Sequence, residues 1–328
     1  DVRRYLPEVP DFGQKVSLRR LIHHTSGLKD HETLLQLCGI SNADVIETQH
    51  ILKLVQTQKE LNFRPGDELE YCNMGYVLLA AVVESVTDQS FRDWTAENIF
   101  APLGMNNSQF YDDCTRIVRN RAYPYWMPEG VELVKGTLNY SYVGPTSLFT
   151  TSADMAKWLI NFGHPTVGGE QIMNRMMSET AILNDDERST YGFGVGVTEY
   201  RGLKIVLHSG HDAGYRAFNA YFSDYDFGVA ILSNFYSVNV MKLGLAIADI
   251  YLADELEPEE EDQLRSPTIE DNEPESADLI SAQGKQLAEY TGGFYAGELG
   301  THYQIILRDG KLLATHWRNE DVILSPLG

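Results

Sequence analysis

LKIVLHSGHDAGYRAFNAYFSDYDFGVAILSN (203–234) decides the fold. LKIVLH (203–208) reads as a strand that runs into a glycine-containing turn. YRAFNAYF (215–222), the turn SDYD and FGVAILSN (227–234) make a hairpin. Just upstream, YGFGVGV (191–197) reads as another strand. Just downstream, VMKLGLAIADIYLADEL (240–256) carries apolar residues at spacings of three and four, the pattern of a long helix. The earlier chain is helical. Ser17 opens a short helix at LRRLIHH, and Asp44 with Glu47 predicts a capping box for an amphipathic helix through about Gln56. An apolar helix runs from Met74 to Val86, Ser90 caps another, and Ser152 caps ADMAKWLINF. Helices set ahead of antiparallel strands and closed by a terminal helix predict an α+β fold, an antiparallel sheet covered by helices.

The 328 residues are 43% hydrophobic and 22% charged, a globular composition with room for one large domain or two ordinary ones. The net charge of −21 repels phosphate backbones and anionic lipid, so no nucleic-acid partner is expected. The longest aliphatic run, Val77 to Val83, is too short to cross a bilayer, so no membrane span is expected in this segment. Cys38, Cys72 and Cys114 are too few for a disulfide framework and lie at no metal-ligand spacing.

The acidity is concentrated. Residues 254–278 hold 12 Asp or Glu against one basic residue, Arg265, together with Pro258, Pro267 and Pro274. A stretch this poor in large apolar side chains cannot offset its ordering entropy and reads as a solvated linker. The predicted division is therefore 1–253, an acidic linker 254–284, and a small β module at 285–328 with a hairpin turn at Asp309-Gly310. The chain opens at Asp1 without an initiator Met and stops at Gly328 straight after a strand-like stretch, so it is expected to be a piece of a longer protein.

Five stretches carry the chemistry: HHTSGL (23–28), FRPGDELEYCNMGY (63–76), IFAPLGM (99–105), VGPTSLFTTSADMAKW (143–158) and HSGHDAGYRA (208–217). In this order and spacing they resemble the serine β-lactamase-like hydrolases, the family of class C β-lactamases, D-Ala-D-Ala carboxypeptidases, D-aminopeptidases and related esterases. The resemblance covers about residues 1–255 and implies a β-lactamase/transpeptidase-like fold. The tail 290–317 resembles the start of the lipocalin-like barrel appended to many of these enzymes, which implies a partial β-barrel at 285–328.

The resemblance also implies roles. Tyr71 matches the base or proton shuttle of Tyr-x-Asn, and Asn73 the substrate-amide contact. A free tyrosine, with a pKa of about 10, needs a neighbouring cation to act as a base near neutrality. In the family that cation is the lysine of the nucleophile motif, Ser-x-x-Lys. His208-Ser209-Gly210 matches the Lys-Thr-Gly or His-x-Gly motif. His208 would face the site, Gly210 would admit substrate backbone, and the backbone N–H of His211 would be an oxyanion donor. The family's nucleophile motif lies upstream of the segment resembling DVRRYLPEV (1–9), so no nucleophile is expected in this chain and the fragment is expected to be inactive. Ser26-Gly27-Leu28-Lys29 fits the pattern, but Gly27 argues for a helix end rather than the start of a buried helix. Cys72 stands where many relatives have serine, and Pro145-Thr146-Ser147 where a glycine-rich turn is common.

Plainer readings compete. Asn73 also suits a helix cap, His208 a satisfied strand end, and His211 and Tyr215 divide evenly. His23 and His24 read as structural, because adjacent helical side chains point apart. Ser147 and Thr151 are candidates for a pocket wall. The resulting expectation is serine acyl transfer on an amide, ester or lactam bond of a small-molecule or peptide substrate, with no cofactor and no metal. The alternative is a non-catalytic module of the same fold that binds peptidoglycan-type peptides or a protein partner. By resemblance, the bacterial periplasm or envelope is the favoured location.

Overall fold

The computed structural model describes residues 1–41, 43–128, 132–258 and 287–325. They form two compact units, residues 1–31 with 42–257, and residues 32–41 with 258–328. Most of the acidic stretch read as a linker, from 259 onward, lies outside the described residues.

The first unit is built on a four-stranded antiparallel sheet whose strands, Gly196–Tyr200, Leu203–Asp212, Tyr215–Phe222 and Phe227–Ser233, lie in sequence order. Two tight hairpins fix the register. Arg201 and Gly202 (φ 47° and 81°), like Ala213 and Gly214 (φ 45° and 94°), have the paired positive φ that matches strand twist in a two-residue turn. The second strand therefore reaches Asp212, four residues past the predicted end. The first begins at Gly196 rather than Tyr191. There Gly192 N–H bonds back to the Val195 carbonyl and Gly194 takes φ 76°, so the backbone turns before it can pair.

Successive strand residues alternate between faces, and both faces are covered. Leu203, Ile205, Phe218, Ala220 and Phe222 pack with Val240, Ala248 and Leu252 of the terminal helix region. That helix, Val240–Tyr251, stops short of the predicted 256, yet Leu256 remains buried in the same cluster. On the opposite face Val206 and Tyr221 meet Leu159, Phe162 and Met173 from helices Ser152–Gly163 and Gly169–Ser178.

The apolar helix forms as Asn73–Thr87, with Met74, Val77 and Leu78 fully buried, and crosses Leu18–Ile22 closely at Gly75. Ser17 and Ser90 cap their helices as predicted. Two caps differ. Helix Thr48–Thr57 starts one residue after Glu47, whose N–H donates to His50 Nδ1, so the box is Glu47–His50 and not Asp44–Glu47. Helix Ser152–Gly163 is capped by Thr151, whose hydroxyl accepts the Asp154 N–H at 3.2 Å.

The second unit holds an antiparallel sheet of Gly292–Ala296, Thr301–Arg308, Lys311–Thr315 and Val322–Leu324, with the expected turn at Asp309 and Gly310 (φ 53° and 77°). Residues 32–41 belong to this unit. Asn319 Nδ2 donates to the Gln36 carbonyl at 2.9 Å, Cys38 Sγ to the Leu299 carbonyl at 3.2 Å, and the Tyr303 hydroxyl to the Leu37 carbonyl. The sheet is open: among the described residues no strand closes it into a barrel. No helix among them is long and apolar enough to cross a membrane.

Gly244 lies against the Phe218 ring, in the space a Cβ would occupy. Gly244→Ala gains up to about 1 kcal/mol of helix propensity. It also overlaps a ring that is fully buried and cannot swing away. Overpacking wins, and urea unfolding is expected to show a net loss of about 1–3 kcal/mol.

Candidate active site

The site starts with two segments zipped together. Helix Leu18–Ile22 ends at His23, and residues 24–28 form a buried turn. Residues 62–72 lie along it: the N–H groups of Asn62, Gly66 and Glu70 donate to the carbonyls of Gly27, Thr25 and His24, and the Cys72 N–H donates to His24 Nδ1 at 2.9 Å. Gly27, at φ 74°, lets the turn close against the Phe63 carbonyl, where a Cβ would collide. Ser26 is 2% exposed and its Oγ accepts the Leu28 N–H, so its hydroxyl serves the turn.

This zip sets Tyr71 over the His24 ring, with centroids 4.1 Å apart. Asn73 follows as the first residue of its helix. The residue at the cap position is Cys72, without a side-chain cap bond, and Asp30 from the neighbouring loop accepts the Asn73 N–H at 2.5 Å. Cys72 points away into the wall, its Sγ bonded to the Leu28 carbonyl, and burial pushes its thiol up to about 12.

The sheet brings the second half. His208 lies with its ring centroid 6.4 Å from that of Tyr71. Tyr191 completes a triangle with them, its ring centroid 6.2 Å from that of Tyr71 and 6.1 Å from that of His208, its hydroxyl 3.3 Å from His208 Nε2 and its ring edge-on to both Tyr71 and His24. The strand reading of YGFGVGV does not single out Tyr191, and His24, read as structural, packs against Tyr71. The clue to Tyr191 was YGFG: glycines at 192 and 194 mark a bend, and its aromatic residues turn off the strand. Phe193 anchors that bend against the guanidinium groups of Arg19 and Arg175, 5.6 and 5.0 Å from its ring, and both arginines donate to Glu179.

Gly210 lies two residues beyond His208 on the same face, opposite Ala217, so the floor there is bare. The strand edge beside it is open. Tyr200 and Leu203 close a two-residue turn, so Leu203, Ile205 and Leu207 direct N–H and C=O to strand Gly196–Tyr200. That partner ends at the Gly196–Leu207 pair, and the same alternation turns the N–H groups of Ser209 and His211 to an edge with no paired strand among the described residues. The His211 side chain lies on the other face, 5.1 Å from the Tyr236 ring.

Other candidates are placed elsewhere. The Tyr215 hydroxyl donates to the Ala122 carbonyl at 2.7 Å. Ser147 is buried and bonds the Tyr142 carbonyl, Thr151 caps its helix, and Thr146 bonds Asp212. Below His208 a cavity of about 140 Å³ is lined by Trp158, Phe162, Met176, Val195 and Asn219, among others.

A family model described as Beta-lactamase matches residues 1–251. The chain belongs to the beta-lactamase family. It is 27% identical over 236 residues to a D-aminopeptidase of Cereibacter sphaeroides and 26% identical over 231 residues to one of Brucella anthropi. Those alignments cover 71% and 70% of this chain but 44% of each relative, so the chain spans less than half the length of these relatives. Its fold is shared by an octameric penicillin-binding protein homologue from Pyrococcus abyssi (TM-score 0.68, 21% identity, 99% of this chain and 72% of that one). It is shared too by a D-stereospecific amidohydrolase from Streptomyces (TM-score 0.64, 20% identity, 77% and 78%) and a D-amino acid amidase from Ochrobactrum anthropi (TM-score 0.60, 20% identity, 77% and 74%). The serine β-lactamase-like, α+β expectation therefore holds.

In this member of the family the imidazoles at the site are neutral. Burial holds His208 below the usual histidine range, partly opposed by its bond to the Ser209 carbonyl. Burial, then the nearby His208, lowers His24 to about 3, and burial lowers His31 to about 4. Burial also pushes the Tyr76 and Tyr191 phenols upward, which keeps them protonated. No group of three or more potential metal ligands occurs among the described residues.

A histidine with a lowered folded pKa binds protons more readily in the unfolded chain, so it destabilises the fold as pH falls below the unfolded value of about 6.5. The loss continues down to the folded value. Stability is therefore expected to fall by several kcal/mol between about pH 6.5 and pH 3 through His24 and His31, as read by urea midpoints across that range.

Proposed function

We propose that the protein to which this chain belongs is a serine hydrolase that transfers the acyl group of a D-amino-acid amide or peptide to a serine and then to water. The observation that carries this reading is the convergence of Tyr71 and His208, 6.4 Å apart by ring centroid, beside the open strand edge at His211. The names of the relatives, D-aminopeptidase and D-amino acid amidase, support the amide and the D configuration.

A serine Oγ attacks the amide carbonyl and yields its proton to Tyr71. The oxyanion is held by the nucleophile's own N–H and by the His211 N–H. Tyr71 passes the proton to the departing amine, and water then cleaves the acyl-enzyme by the reverse relay. Asn73 holds the substrate amide, His208 orients the acyl side, and Gly210 admits the substrate backbone. Tyr71 needs a cation to favour its phenolate, and the imidazoles of His24 and His208 are neutral. The charge is therefore assigned to the lysine of a Ser-x-x-Lys lying outside residues 1–328, since Ser26 is committed to its turn. Residues 1–328 alone are expected not to be acylated. A neutral His208 grips a substrate carboxylate less firmly than a lysine would, which favours amide and peptide substrates over β-lactams.

The full-length gene product is expected to hydrolyse D-alanine p-nitroanilide at least about tenfold faster than the L form. Tyr71→Phe should cost about 10²–10⁴-fold in kcat. No turnover of D-amides or esters, together with no serine labelled by a fluorescent penicillin, would overturn the reading.

A further inference from the structure

We propose that His24 is the positioning residue of this site, an uncharged imidazole fixed in one tautomer that sets the Tyr71 ring and ties it to Tyr191 and His208; the proposal rests on the hydrolase reading above.

Tyr71 is bracketed by bonds to this one residue. The N–H before it in the chain, that of Glu70, donates to the His24 carbonyl at 2.9 Å. The N–H after it, that of Cys72, donates to His24 Nδ1, also at 2.9 Å. The phenol between them lies against the same imidazole at 4.1 Å and a tilt of 32°. Backbone and ring of Tyr71 are thus both referred to His24, so a displacement of His24 displaces the phenol.

The tautomer follows from the bond. A ring nitrogen that accepts carries no proton, so Nδ1 is bare and the proton sits on Nε2. Imidazolium would have donors at both nitrogens and would break the bond to Cys72. The groups facing His24 are Tyr71, Tyr76, Tyr191, Cys72, His23 and His208, none of them a carboxylate that would stabilise a charge. Burial lowers the ring's pKa to about 3, so it is neutral near pH 7. His24 also holds φ 55°, a left-handed conformation that a non-glycine residue keeps only where its surroundings over-determine it. Its ring meets Tyr191 edge-on at 4.7 Å, and the Tyr191 hydroxyl reaches His208 Nε2. One residue thereby links the loop half of the site to the sheet half.

The test uses the full-length protein and three variants. H24A removes acceptor and ring, H24N keeps an acceptor near Nδ1, and H24F keeps a ring alone. A phenol misplaced by about 1 Å is expected to cost H24A about 10²-fold in kcat, with KM within about threefold. H24N should recover at least about tenfold of that loss and H24F less. Spectrophotometric titration, with Tyr71→Phe subtracted, should show the Tyr71 phenol shifted in H24A, which a purely structural role would leave in place. Nitrogen NMR of the unmodified protein should show the His24 proton on Nε2. The proposal is overturned by a folded H24A with kcat within threefold of the parent, by H24N no better than H24A, or by a proton on Nδ1. Should H24A not fold, H24N and the tautomer decide. Absence of turnover in the unmodified enzyme sinks the hydrolase reading instead, because tautomer and titration need no substrate and judge His24 by themselves.

Discussion

The N–H groups of Glu70 and Cys72 both end on His24, and that pair of bonds holds together what the sequence separates by almost fifty residues. Without it, residues 62–72 would be an ordinary loop ahead of an apolar helix. With it, the run that carries Tyr71 becomes a pseudo-strand along the turn at 24–28, and helix Asn73–Thr87 starts from a fixed point. Asp30 reinforces the same point by accepting the Asn73 N–H. A buried turn can carry this load because its carbonyls at His24, Thr25 and Gly27 are each paired with an N–H of the neighbouring segment.

The sheet contributes through what it leaves undone. Strand Gly196–Tyr200 is shorter than its neighbour, so Leu203–Asp212 extends past it with its outer edge unpaired. A hairpin register fixed by two left-handed turn residues decides which N–H groups face that edge. The same register puts His208 and Gly210 on one face and the His211 side chain on the other. That the His211 N–H faces the open edge while its side chain lies on the face away from His208 is therefore a consequence of strand alternation. Phe193, two residues after Tyr191, is held by Arg19 and Arg175, which share Glu179, and Tyr191 reaches His208 from the same bend.

Much of this was legible in advance. The hairpins, the apolar helix and the helix caps at Ser17 and Ser90 follow from local rules, because turn chemistry and periodicity act over a few residues. Tyr71, Asn73, His208 and Gly210 stood out through motif order. The misses share a cause. Asp44 and Ser152 are good caps by composition, but a neighbour one or three residues away, Glu47 with His50 or Thr151, had the better geometry. Tyr191 was assigned to a strand because a glycine-rich run with aromatics suits a strand edge as well as a bend. The helical spacing assumed for His23 and His24 does not hold either, because the helix ends at Ile22 and His24 lies in a left-handed turn.

The sequence by itself determined the fold class, the hairpin at 215–234 and the family pattern, since each is encoded in short-range spacing of apolar, glycine and turn residues. Only the tertiary structure decided that His24 meets the backbone on both sides of Tyr71, that Tyr191 reaches His208 and that residues 32–41 belong with the C-terminal strands. Those outcomes depend on which distant backbone donors meet which acceptors once both are removed from water. That pairing is set by packing in three dimensions, and no local pattern along the chain records it.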